Sequence, residues 1–145
     1  MKQFSLFLLF LLLAVSGSAQ SIFNTDGVAI RGYDPVAYFL DNTPTEGRAE
    51  FATTWQGVSW RFKDKTNLDL FKSNPEKYAP QFGGFCAYGV SDNHKSPTDP
   101  AAFTVVNDRL YLNYSPKVKQ LWSKDREMHI QRAETNWPAL EKTKP

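Results

Sequence analysis

The sequence has one cysteine, Cys86, two histidines, His94 and His129, and two methionines, of which only Met128 lies beyond the first residue. An internal disulfide is therefore excluded, and so is a metal knuckle built on paired thiols such as Cys-x-x-Cys. Charge of one sign is also lacking: 17 Lys and Arg stand against 15 Asp and Glu, a formal net charge of +2. Polyanion binders carry a clear basic excess, so no nucleic-acid partner is expected. Lys63-Asp64-Lys65 and Lys124-Asp125-Arg126-Glu127 mix signs, as solvated faces do. Long apolar runs are missing beyond the first residues, and no internal repeat or linker occurs.

The one long apolar run is N-terminal. Lys2 supplies a positive start, residues 4–15 are almost wholly apolar, and Gly17-Ser18-Ala19 is a small-residue cleavage site. This pattern predicts a secretory signal peptide over residues 1–19. The run is short for a membrane span of about 20 residues, so no membrane anchor is expected after cleavage. No cysteine follows it, which excludes a lipid-modified bacterial N-terminus. Residues 20–145 then form one domain, exported to a bacterial periplasm or the extracellular space. A lone cysteine in such a domain is a buried thiol, a reactive thiol, a metal ligand or an intermolecular bridge.

The mature chain is rich in aromatic residues, and their spacing sets the elements. Residues 22–30 read as a weak edge strand. Asp34 before Pro35 reads as a helix cap, with a short helix over residues 35–39; a cap of this kind contributes about 1 kcal/mol. Phe51, Thr53 and Trp55 alternate, as do Val58, Trp60 and Phe62, and Gln56-Gly57 between them predicts a β-hairpin. Asp64 caps a helix that carries Leu68 and Phe71 inward, and Asn74-Pro75 opens another turn that buries Tyr78. Residues 103–106 and 110–114 form a second hairpin around Asn107-Asp108. Ser115-Pro116 opens a longer helix, and Asp125 caps a last one, which Pro138 ends. The tail from Leu140 is expected to fray. The predicted class is α+β: a small antiparallel sheet of hairpins, with short helices packed on it and a helical C-terminus.

Residues 78–90, YAPQFGGFCAYGV, form the organising stretch. Cys86 sits there among Phe82, Phe85 and Tyr88, and residues 85–90 read as a buried strand. Gly83-Gly84 just before it calls for positive φ or a close backbone approach at one position or both.

Several motifs, in one order, carry a resemblance. They are Gly32 to Phe39 (GYDPVAYF), Asn74 to Pro80 (NPEKYAP), Gly83 to Ala87 (GGFCA), Leu110 to Tyr114 (LYLNY) and Asn136 to Pro138 (NWP). Over nearly all of residues 28–138 the chain resembles the exported, single-domain members of the YHS domain family. The resemblance implies a YHS fold and a link to heavy-metal handling. Metal-associated members place one cysteine after Asp-Pro-Val and two more at the start of the following short helix. Ala37, Lys63 and Asn67 stand at those positions here, so that three-thiolate site is absent. Exported members carry instead the cysteine that is Cys86.

Three functional readings follow. A soft transition metal, copper or zinc, would take Cys86 with His94, which lies eight residues on in a polar loop. Met128 and His129 are adjacent and point about 100° apart on a helix, which disfavours both serving one site. A small-molecule or partner-binding module would use Tyr33, Asp34, Tyr38, Tyr88 and Tyr111 to line a pocket, with Cys86 structural. A thiol-dependent enzyme would pair Cys86 with His94 or His129 as base, oriented by Asp34. No cysteine-hydrolase signature is present, and burial raises a thiol pKa, so the catalytic reading is the least favoured.

Overall fold

A computed structural model of the protein describes residues 21–145. The predicted signal peptide, residues 1–19, lies outside the described residues. Among the described residues no helix is long and apolar enough to cross a membrane.

The first elements are two-residue strands, β1 (Asn24–Thr25) and β2 (Val28–Ala29), paired antiparallel. Helix α1 (Pro35–Leu40) follows. Strands β3 (Arg48–Trp55) and β4 (Val58–Phe62) form the predicted hairpin. Its turn residues Gln56 and Gly57 both have positive φ, 52° and 78°, the backbone that a tight two-residue hairpin demands. Helices α2 (Lys65–Ser73) and α3 (Pro75–Tyr78) pack beside it. Helix α4 (Ala87–Ser91), the hairpin β5 (Phe103–Val106) and β6 (Arg109–Leu112), and helices α5 (Pro116–Ser123) and α6 (Arg126–Leu140) complete the chain. The fold class is α+β, as the sequence predicts.

Several details differ from the sequence reading, among them the cap at Asp125, whose side chain makes no hydrogen bond to the start of α6. The strands form two sheets, β1-β2-β4-β3 and β5-β6, and the first contains a parallel contact, Val28 with Ser59. Residues 85–90 are not a strand: Cys86 caps α4, and the apolar run turns helical. Pro138 does not end α6, which runs on to Leu140. Trp137 and Leu140 pack against the core there, and Lys95 Nζ donates to the carbonyls of Glu141 and Thr143, so the tail is tied down.

Two apolar cores result. One gathers Trp60, Phe62, Phe71, Val36 and Tyr38 between the larger sheet and α1–α3. The other gathers Phe82, Phe85, Val90, Trp122 and Ala133 among α4, α5 and α6. The β5–β6 hairpin joins them. Successive strand residues face opposite sides, so Leu110 and Leu112 enter the first core and Tyr111 the second.

Candidate functional site

Cys86 lies at the seam of the two cores. The chain reaches it through three consecutive left-handed residues, Phe82 (φ 56°), Gly83 (φ 64°) and Gly84 (φ 82°). That turn frees the Gly83 carbonyl for Phe23 N–H at 2.9 Å and the Gly84 carbonyl for the Thr98 hydroxyl at 2.8 Å. Cys86 is 1 % exposed. Its Sγ accepts from Tyr114 N–H at 3.2 Å and from Gly89 N–H at 3.5 Å, and its S–H donates to Asn113 Oδ1 at 3.5 Å. Asn113 Oδ1 also accepts from Tyr88 N–H at 3.1 Å, which fixes the orientation of the amide because a flipped NH2 would face a donor. Burial pushes the Cys86 thiol pKa up, and the N–H groups of Gly89, Tyr114 and Tyr88 oppose it only in part. The sulfur is thus a protonated, hydrogen-bonded group inside the fold.

The two histidines stand elsewhere. His94 is on the loop after α4, with its side chain 53 % exposed and Nδ1 4.0 Å from an Asp92 carboxylate oxygen. His129 on α6 meets the Ser91 hydroxyl at 3.0 Å through Nδ1 and packs on the Tyr88 ring, centroids 4.9 Å apart. Neither imidazole is among the hydrogen-bond partners of Cys86. Met128 lines a separate cleft with Arg109 and Tyr111. No group of three or more His, Cys, Asp or Glu side chains placed to hold a metal occurs among the described residues.

The predicted binding residues fall into two groups. Tyr33, Asp34 and Tyr38 are neighbours around α1, whereas Tyr88, on α4, packs on His129 and Tyr111 packs on Trp122. Asp34 is fully buried and caps α1. Tyr38 is buried, and its hydroxyl donates to the Pro100 carbonyl at 2.7 Å. Burial, then Tyr33, Asp99 and Asp34, raise the Tyr38 pKa strongly above its ordinary 10.0. The unfolded chain therefore ionises Tyr38 above about pH 10 while the native state keeps its proton, so the contribution of Tyr38 to stability is constant below that pH and is lost above it. Urea unfolding compared at about pH 9 and pH 11 should show that fall, and Tyr38→Phe should reduce it, leaving a residue from Tyr111, whose pKa burial also raises. An unchanged alkaline loss in the variant would remove Tyr38 from the account.

Above this layer is a cleft of about 430 Å³ lined by Arg31, Pro97, Thr98, Asp99, Pro100 and Tyr114. Five of the six lining residues are tied to their surroundings by hydrogen bonds. Arg31 Nε donates to the Thr98 carbonyl at 3.2 Å, and Thr98 Oγ1 donates to Gly84. Tyr38 holds Pro100, the Asp99 N–H donates to the Asn113 carbonyl at 3.0 Å, and Cys86 holds Tyr114. The GYDPVAYF, GGFCA and LYLNY segments thus meet at one place. Ile30 (φ 48°) and Arg31 (φ 50°) are both left-handed, a costly backbone for a β-branched residue. Sequence reading misses Arg31, Thr98, Asp99 and Tyr114 as a group. The only signal was the pair of prolines in residues 91–100, which marks a rigid loop without saying what it faces.

Comparison with family models, with curated proteins and with solved structures finds no match to this chain.

Proposed function

We propose that this is an exported, non-enzymatic binding domain of the YHS type, in which Cys86 is a structural thiol and Arg31 takes a small anionic ligand in the cleft above it. The observation that carries this reading is how Cys86 Sγ is used: the fold spends its hydrogen-bonding capacity on Gly89, on Tyr114, which lines the cleft, and on Asn113, whose carbonyl holds Asp99 of the lining. A metal would have to displace those bonds and recruit ligands from elsewhere. A catalytic thiol needs a base within reach, and none is hydrogen-bonded to it. The Arg31 side chain, by contrast, is exposed and set by a strained backbone; Thr98 takes only its Nε, which leaves the outer guanidinium nitrogens for a carboxylate, while Asp99, the acidic residue of the lining, accepts the Ala101 N–H. The cleft volume lies within the usual range for small-ligand sites, about 300–1,000 Å³.

The test uses the mature protein, Cys86→Ala and Arg31→Gln. Acetate, succinate, glutamate and citrate serve as probes in thermal-shift and calorimetric titrations. At least one probe should bind the wild type, and Arg31→Gln should lose that binding while keeping its fold. Copper(I) and zinc should bind wild type and Cys86→Ala equally weakly. Iodoacetamide should label Cys86 at neutral pH only after unfolding. Stoichiometric metal binding lost in Cys86→Ala would restore the metal reading, and rapid native-state alkylation would restore the enzymatic one. Absence of binding by every probe would remove the anion site.

A further inference from the structure

A second cleft, of about 610 Å³, shares no lining residue with the Arg31 cleft. Trp55 and Trp137 both line it. Each belongs to a different core. Trp55, at the end of β3, is packed against Trp60 and Phe71 at centroid distances of 5.6 and 5.8 Å. Trp137, in α6, is packed against Phe82 and Phe85 at 6.0 and 6.2 Å and carries Lys95 Nζ over its ring, 5.8 Å from the centroid. Both indoles are thus fixed by packing yet only partly buried. A rigid, partly exposed aromatic ring is a binding platform formed at little conformational cost.

The polar lining decides what such a platform would take. Lys77 and Arg109 are set among Glu76, Asp108 and Glu134. Arg109 is paired with Glu134 at 3.2 Å, and Lys77 Nζ lies over the Tyr78 ring, 5.3 Å from its centroid. The signs nearly cancel, so the groove has no field to favour a strongly charged ligand. Its remaining polar groups include the amides of Asn74 and Gln81. Asn74 leads into α3 without capping it through its side chain, so the amide is not committed there. A planar amide donates and accepts in one plane and a carboxylate accepts through two oxygens, a combination that matches vicinal hydroxyls.

We propose that the Trp55–Trp137 groove binds a neutral saccharide, with the C–H faces of its sugar rings on the indoles and its hydroxyls on Asn74, Gln81 and the neighbouring carboxylates. An anionic ligand would face three carboxylates against two cations, one of them already paired, and a purely apolar one would leave the charged lining desolvated.

Cellohexaose, xylohexaose, laminarihexaose and chitohexaose are the probes, with hexagalacturonate as the charged control. Calorimetry and intrinsic tryptophan fluorescence are the readouts. At least one neutral probe should bind and alter tryptophan emission, and hexagalacturonate should bind more weakly. Gln81→Ala and Asn74→Ala should each weaken binding by about tenfold, one lost hydrogen bond, with an unchanged melting temperature. Trp137→Phe keeps an aromatic anchor in the core and should weaken binding through the smaller platform. Arg31→Gln should bind the saccharide as wild type does, which separates this site from the anion cleft. Failure of all four neutral probes at millimolar concentration, binding insensitive to Gln81 and Asn74, or preference for hexagalacturonate would each overturn the proposal.

Discussion

Gly83→Ala is expected to destabilise the protein by about 2–5 kcal/mol, combining a left-handed backbone cost of about 1–2 kcal/mol with an overpacking cost of about 1–3 kcal/mol. Its φ of 64° already disfavours a side chain, and an added Cβ would lie 1.9 Å from the Ser21 carbonyl oxygen. That neighbour is backbone, held in place by the adjoining Phe23 N–H bond to the Gly83 carbonyl. Relief would require moving the whole N-terminal segment, including Ile22 in the core. Gly84→Ala is the control. Its φ of 82° is equally left-handed, but the nearest atom to an added Cβ is Pro80 Cγ at 3.2 Å. Its cost should stay near the conformational part alone, about 1–2 kcal/mol. Urea denaturation of both variants gives the difference directly. Because the same turn delivers Cys86 to its partners, Gly83→Ala should also speed thiol labelling by a disulfide reagent. Equal midpoints for Gly83→Ala and wild type would show that the Ser21 segment yields freely and that the glycine pair does not position the thiol.

The need for glycine at 83 and 84 was legible because paired glycines have few other uses within a run of aromatics. The same kind of local rule located other features. Asp34, Asp64 and Ser115 each accept a backbone N–H at the start of α1, α2 and α5. Asn107 and Asp108 take φ of 53° and 56°, and the β5–β6 hairpin folds around them as the residue pair requires. These signals succeed because turn and cap chemistry is decided within a few residues. The run Phe85 to Val90 misleads for the opposite reason. A short apolar segment is equally compatible with a buried strand or a buried helical turn. What decides it is distant: Ser96 takes the Cys86 N–H, and Asn113 takes the Tyr88 N–H. Pro138 misleads similarly, since contacts from Trp137 and Leu140 and the grip of Lys95 on the following carbonyls outweigh one lost helical hydrogen bond.

Site residues divide along the same line. Cys86 stands out in a sequence with one cysteine, and Asp34 stands out before a proline. Arg31, Thr98 and Tyr114 do not, because their association depends on chain segments 67 and 28 residues apart, joined through Arg31 to Thr98 and Cys86 to Tyr114. The left-handed Ile30 is invisible as well. Nothing in its identity announces positive φ, and only the packed surroundings can impose it.

Asp34→Ala is expected to cost about 3–5 kcal/mol, well beyond the roughly 1 kcal/mol of an ordinary helix cap. The carboxylate is fully buried and accepts four hydrogen bonds. Oδ1 takes Val36 N–H at 2.8 Å and Ala37 N–H at 3.2 Å, which is the cap. Oδ2 takes Lys63 N–H at 2.9 Å and Asn67 Nδ2 at 2.8 Å, which is not. It ties the end of the β3–β4 hairpin and the first turn of α2 to α1. Ala37, Lys63 and Asn67 are also the positions where the resemblance would place thiols in metal-associated YHS domains, and here their donors converge on one carboxylate. Truncation leaves these donors without their acceptor, at about 1–3 kcal/mol for each that water cannot reach. Asp34→Asn should cost less. Its remaining oxygen keeps the cap, and Asn67 can turn its own oxygen toward the new NH2, so only the Lys63 N–H is stranded. Asn67→Ala removes one donor and should be milder than Asp34→Ala. In Asp34→Ala the further loss of Asn67 should add little, so the double-mutant cycle should show strong coupling. The measurement is urea unfolding of the single variants and the double variant, with the slope checked for constancy. A loss near 1 kcal/mol for Asp34→Ala, or additive losses with Asn67→Ala, would mean that Asp34 serves as a cap alone and that the Lys63 and Asn67 bonds add nothing to the fold.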